Sequence, residues 1–393
     1  MLISTQIINK QQGYQTSNYL LLDSLINKRV HQMKTYFKPI RAIVALVPFA
    51  LLLNSCGRDF PSVQKLGKMT SDLEQSSSNI ADDIYNSCIT RTKYISFLVA
   101  QGSSGSFSLR EQEEKNCDDF NRQSVKNVKK ANFILVEYLK VLGKMASGDT
   151  VSFDKNFNTL GESLKKLQIP QSQGKPFTFN ASDVDAGTSI AKFITNAFTR
   201  EFRREKLKQA ILCTDKDIQT YIGSATSGVK DSASNESTTG GLIALTQQAY
   251  VNGILTAEEQ EIRNYFTNYI GGLAPVSQEH PLDFIKLEED YNKAMDSIRS
   301  RKDAAENYVA ILQQIAAMHS NVKTEFQGKG EKQLSDAQLQ DYCQGLDTAK
   351  ADKAATKEKA ITYDQEEIKN VGKIVSEYEK SLEPLIEKMN KGF

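Results

Sequence analysis

The chain has 393 residues, 25% of them charged and 39% hydrophobic, with 22 Gly, 8 Pro and no Trp. That length fits two domains or one long all-helical one. Low Pro and a mean hydropathy of −0.44 exclude a polytopic membrane protein, a collagen-like chain and Pro/Gly-rich disorder. A formal net charge of +1 removes the simplest case for a nucleic-acid partner, because phosphate binding needs concentrated positive charge.

The first informative segment lies between Met33 and Cys56. Met33 to Arg41 carries three positive charges and no acid, and Ala42 to Leu53 is an apolar run of 12 residues broken only by Pro48. That run is shorter than the roughly 20 residues a spanning helix needs, and a basic stretch, a short apolar stretch and small residues form a secretory signal pattern. Its end, Leu53-Asn54-Ser55-Cys56, resembles the lipobox of bacterial lipoproteins, with Asn54 departing from the usual small or aliphatic residue. The resemblance implies diacylglycerol on the Cys56 thiol, cleavage before Cys56 and acylation of the new N-terminus. More than one acyl chain is what stable anchoring requires. Gly57 after it implies delivery to an outer membrane, facing the periplasm.

Residues 1–32 then read as an over-extended N-terminus or a leader, 33–55 as the signal peptide, 56–61 as a tether and 62–393 as the folded domain. Residues 1–55 hold six Lys/Arg and one acid, which leaves 43 basic and 47 acidic residues, net about −4.

Five cysteines are present, at 56, 88, 117, 213 and 343. With Cys56 assigned to lipid, an even number remains in an oxidising compartment. Cys88 and Cys117 flank the loop Gln101 to Ser106 on two helices predicted to pack antiparallel. They come level to within about two residues, roughly 3 Å at 1.5 Å per residue. A Cys88–Cys117 bridge is expected, and Cys213–Cys343 follows by elimination, with buried free thiols as the alternative. No CxxC motif occurs, so no metal site is expected.

The predicted elements run as follows. A first helix spans Ser62 to Val99, with a polar, partly solvated middle at Gln75 to Asn79. A second spans Ser108 to Met145, opened by the capping box Ser108-Leu109-Arg110-Glu111 and closed at Ser147-Gly148-Asp149. A short helix from Phe153 to Leu167 leads into a loop containing Pro170, Gly174 and Pro176. One helix from Ser182 to Ile222 passes Cys213, and Ser224 to Gly241 is a linker. Leu242 to Leu255 precedes a helix that starts at the capping box Thr256-Ala257-Glu258-Glu259. After Pro281, positions 284, 287, 291, 294, 298, 301, 305, 308, 312, 315, 319, 322 and 326 alternate steps of three and four, a coiled-coil-like seam. Ser335-Asp336-Ala337-Gln338 starts the last helical region, where Ile368, Val371, Val375, Tyr378, Leu382, Leu385 and Met389 repeat that spacing. Pro384 inside it predicts a kink or an early end. With no alternating strand pattern, the fold class is all-α, an elongated antiparallel bundle of long helices.

Chemistry is sparse. His319, in the long seam with Arg301 about five turns away, reads as a core histidine with its polar nitrogen at the bundle edge, and His280 as a helix-start residue. Glu258-Glu259 and Glu288-Glu289-Asp290 read as helix-start or solvated acids. There is no G-x-S-x-G and no phosphate loop. No catalytic residue and no cofactor are assigned. Arg200, Arg203, Arg204, Lys206 and Lys208, interleaved with Glu201 and Glu205, read as intrahelical pairs, with contact to an anionic partner as the functional alternative.

Glu137 to Asp149, the Arg-rich helix 200–212 and Ile315-Ala316-Ala317-Met318-His319 resemble the layout of uncharacterised all-helical bacterial envelope lipoproteins, which implies the fold and the anchor but no active site. The expected function is non-enzymatic: a lipid-anchored protein presenting polar helix faces to an envelope protein partner. The alternatives are a membrane-active protein using Gly240 to Leu255, or a small-ligand-binding protein with a cavity of a few hundred Å³.

Overall fold

The computed structural model describes residues 60–95, 105–147, 160–171, 175–199, 206–224, 240–273, 281–328, 333–347 and 365–393. Cys56, everything before it and the start of the tether lie outside these residues. The described chain is all-α, as the patterning predicts. Among these residues the one β feature is an isolated antiparallel bridge, Ile169 to Phe177, closing the Pro-rich loop with paired bonds of 3.0 and 2.9 Å.

Helix α1 (Pro61–Thr92) opens with Pro in its first turn, where the missing N–H costs nothing. Helices α2 (Gly105–Asn116) and α3 (Arg122–Ser147) are joined by the π-helical turn Cys117–Asn121. The predicted box at Ser108 therefore falls inside a helix that starts a turn earlier. Of the predicted Phe153–Leu167 helix, the described part is α4 (Leu160–Lys165).

α1 and α3 run antiparallel. Residues pair in opposite order along them: Glu74 with Lys140, Asp82 with Lys129, Tyr85 with Asp118. They also touch backbone to backbone, since a Cβ added at Gly143 would lie 2.8 Å from the Gly67 Cα. Small residues allow this approach. In the polar middle of α1, Ser76 and Ser77 are buried, Ser76 donating to Asn390, while Gln75 faces water. The predicted solvation is thus confined to one side.

The helix predicted to be continuous from Ser182 to Ile222 is two helices, α5 (Ala181–Thr199) and α6 (Leu207–Ile222). Asn180 caps the first, accepting the Asp183 N–H at 2.8 Å. The two pack against each other. Apolar periodicity continues in the sequence from one helix to the next, so spacing alone does not separate them.

α7 (Gly241–Ala244) runs without interruption into a π-helix, Leu245–Leu255, and then α8 (Thr256–Leu273). Thr256 is accordingly not an N-cap: its hydroxyl donates to the Val251 carbonyl five residues back, at 3.0 Å.

α9 (Pro281–Gln327) is the axis of the fold, 47 residues or about 70 Å at 1.5 Å per residue. Two side-chain contacts reach from it toward α1 in opposite chain order, Phe326 against Phe60 just before α1 and Arg301 against Asp83 further along. It packs antiparallel to α11 (Gln365–Asn390), through Asn321 to Tyr378 and Gln314 to Ser381. Pro384 neither ends α11 nor shortens it. Between them, α10 (Asp336–Asp347) starts with the predicted reciprocal box: Ser335 Oγ accepts the Gln338 N–H at 3.3 Å, and Gln338 Oε1 accepts the Ser335 N–H at 2.8 Å.

Both disulfides are present in the expected pairing. Cys88–Cys117 joins α1 to the π-turn with Cα atoms 5.8 Å apart. Cys213–Cys343 joins α6 to α10 at 5.5 Å.

Candidate functional site

Of the basic run, Lys206 and Lys208 fall within the described residues. Arg200, Arg203 and Arg204 lie outside the described residues, as does His280. Lys206 is half-buried where α6 opens. Lys208 turns inward: it pairs with Glu367 at 2.5 Å and lies over the Phe326 ring, so it clamps α6 to α11 and is not available to an anionic partner.

Glu258 is the larger correction. Because α8 has no start at Thr256, Glu258 is an interior residue, and it is buried beside Arg301. Arg301 donates to both Glu258 oxygens at 2.7 and 2.9 Å, a bidentate pair. It also donates to Asp83 Oδ2 at 3.0 Å. Tyr250 Oη donates to that Asp83 oxygen at 2.6 Å, and Ser87 Oγ donates to Glu258. Four elements thus meet at one guanidinium: α1, the π-helix, α8 and α9. Burial opposes charge on Arg301, but the hydrogen bonds and field of Glu258 and Asp83 outweigh it and hold the guanidinium above its usual range. Burial first, and then the Asp83 carboxylate, push the Tyr250 phenol well up.

His319 is buried, and neither ring nitrogen reaches the bundle edge as predicted. Nδ1 is 2.8 Å from Asp215 Oδ1, and Nε2 is 2.6 Å from Tyr138 Oη, which lies 2.6 Å from Thr214 Oγ1. Lys323 donates to the second Asp215 oxygen at 3.0 Å. Burial raises the Asp215 carboxyl, but His319 and Lys323 together bring it down to about 2. An Asp-His-hydroxyl arrangement can relay a proton when a substrate reaches its end. Here that end is Tyr138, wholly buried and already bonded to Thr214. The network joins α3, α6 and α9, and its hydroxyl end presents no atom to a substrate. Among the described residues, no three His, Cys, Asp or Glu are grouped to hold a metal ion.

The third feature is at the tip of α9. The seam is fully buried from Ile298 to Phe326, but Phe284, Leu287, Tyr291 and Ala294 are only half-buried. Leu282 and Ile285 are 79% and 52% exposed. At about 100° per residue, Leu282, Phe284, Ile285 and Leu287 are spread around the helix between the charged Asp283, Lys286 and Glu288, so the apolar groups exceed a single core-facing stripe. Beside this tip, Tyr94, Tyr265, Phe266 and Tyr291 form a chain of ring contacts with centroids 5.2 to 6.0 Å apart. Tyr and Phe are enriched where proteins meet.

The sequence contains a signal for the tip, Leu282-Asp283-Phe284-Ile285-Lys286-Leu287, whose apolar residues exceed one seam. It contains none for the Arg301 cluster, whose members lie up to 218 positions apart. No protein-family model, no curated protein and no solved structure matches this chain.

Proposed function

We propose that this chain is a lipid-anchored helical protein of the bacterial envelope that acts by docking to another envelope protein through the tip of α9. The observation carrying this reading is the exposure of Leu282 and Ile285 on a helix whose later seam positions, Ile298 to Phe326, are buried. The lipobox-like Leu53-Asn54-Ser55-Cys56 supplies the compartment, and the two disulfides suit an oxidising one. The docking face is apolar and aromatic, in place of the polar face the sequence suggests. The membrane-active alternative is less well supported: Leu242, Ile243, Tyr250 and Leu255 are core residues that would have to leave the bundle. No described helix is long and apolar enough to cross a membrane.

The test is a benzophenone side chain placed at 282 or 285 in cells, with exposed Asp303 as the control position. A discrete protein adduct at 282 and 285 but not at 303, identified by mass spectrometry as an envelope protein, is expected. Adducts to lipid alone, or none, would overturn the docking reading. Intact mass of the membrane-extracted chain tests the anchor, and a mass that retains residues before Cys56 would overturn that.

A further inference from the structure

A cleft of about 400 Å³ lies between α1, the loop carrying Pro170 and Gln171, the π-helix and α8. It shares Ser87 with the Arg301 cluster, since Ser87 lines the cleft while its hydroxyl donates to Glu258. Its polar groups are Arg91, Gln171, Gln260, Glu261 and Asn264, above an apolar floor of Pro170, Ile254 and Ala257.

Three observations separate this cleft from ordinary surface. The Gln171 Nε2 is buried without a hydrogen-bond partner, a state that costs free energy until a partner arrives. Gly253 makes room for that carboxamide, because a Cβ there would lie 2.1 Å from Gln171 Oε1. Finally, Arg91 and Glu261 line the same cleft, and neither side chain has an ion-pair or hydrogen-bond partner among the described residues.

A π-helical wall suits such a place, as these segments concentrate at functional sites. The volume falls within the roughly 300–1,000 Å³ of small-ligand pockets. Among the described residues no aromatic ring lines the cleft, so they offer a nucleobase nothing to stack on. Opposite unpaired charges beside three carboxamides match a ligand with both charges and amides of its own.

We propose that the cleft binds a short peptide in its zwitterionic form. The terminal carboxylate sits on Arg91, the terminal ammonium on Glu261, and the peptide amides on Gln171, Gln260 and Asn264. The floor takes small aliphatic side chains. This site is distinct from the α9 tip and does not depend on it.

Calorimetric titration of the full chain with trialanine, N-acetyl-trialanine and trialanine amide tests the assignment. Trialanine is expected to bind, and each cap to weaken binding about tenfold or more, as the loss of a charge-assisted hydrogen bond does. Arg91→Gln should abolish the penalty for the amide cap alone, and Glu261→Gln that for the acetyl cap alone. Gly253→Ala should displace the Gln171 amide and weaken trialanine binding with far-UV circular dichroism unchanged. Leu282→Glu should leave binding as it is. Capped peptides binding as tightly as trialanine, or no heat from trialanine at millimolar concentration, would overturn the proposal.

Discussion

Arg301 and His319 stand on one seam of α9, about five turns apart, and the bundle treats them differently. Around Arg301 the charge is closed in: side-chain exposure is 10% for Arg301, 11% for Asp83 and 2% for Glu258. At His319 the network has an outlet, since Lys323 is 27% exposed and carries one end of it to water. Each has a disulfide beside it in sequence, Cys88 next to Ser87 and Cys213 next to Thr214. The difference teaches what each does. One cation between two buried carboxylates requires four particular elements to meet, which an apolar seam by itself does not. The His319 network ties three helices at smaller electrostatic cost.

Removing the disulfides should have the largest effect and already separates the two regions. The bridges close loops of 130 and 29 residues. Loop-closure entropy then assigns about 5 kcal/mol to Cys213–Cys343 and about 4 kcal/mol to Cys88–Cys117. Urea unfolding of the two double-Ala variants checks that order, and a reversed order would show that local packing, not chain entropy, decides.

Arg301→Met comes next. It leaves Asp83 and Glu258 buried without their cation, for an expected loss of about 4 kcal/mol. Arg301→Lys should recover little, because an ammonium cannot span both carboxylates bidentately. Adding Asp83→Asn and Glu258→Gln to Arg301→Met should recover much of the loss, since the unpaired charge and not the missing contact is the penalty. Thermal unfolding of the single and triple variants distinguishes these cases.

The His319 region should respond to acid instead. Asp215 has a folded value of about 2 against an ordinary 3.8, so its depressed pKa contributes stability that is complete above about pH 5. That contribution is lost as pH falls through the folded value. It amounts to about 2 kcal/mol at neutral pH, with about half gone near pH 3. Asp215→Asn should remove it and flatten the acid limb of a urea-midpoint profile. An unchanged limb would mean that His319 and Lys323 do not hold the carboxyl down.

Legibility in the sequence followed the range of the interactions. The seam of α9, the box at Ser335 and the level placement of Cys88 and Cys117 rest on spacings within one helix or one hairpin, and the sequence displays them. The π-helix at Leu245–Leu255 has no such display, because a step of five leaves no period in the apolar residues. The Thr-x-x-Glu pattern directly after it reads as a helix start, which places Glu258 in solvent when it is among the most buried acids. Asp83, Tyr250 and Arg301 could not be grouped either, since tertiary packing alone brings them together. Gln171 and Gly253 carry no sequence signal for the same reason, so the cleft they help form is not legible.

The smallest expected effect is at the tip, and it bears on the whole functional reading. Leu312 lies deep in the seam and is fully buried, so Leu312→Ala should cost about 2–5 kcal/mol. Leu282 and Ile285 belong to the same helix but are largely exposed, and Leu282→Glu with Ile285→Glu should change stability by no more than about 0.5 kcal/mol each. Those two variants should nevertheless lose the crosslinked adduct at the tip, because a charge there has to be desolvated when a partner covers it. Stability and docking would then separate along a single helix, with the boundary near Ile298. If the tip substitutions cost as much as Leu312→Ala, the first turns of α9 would be core, and docking would have to be sought on another face.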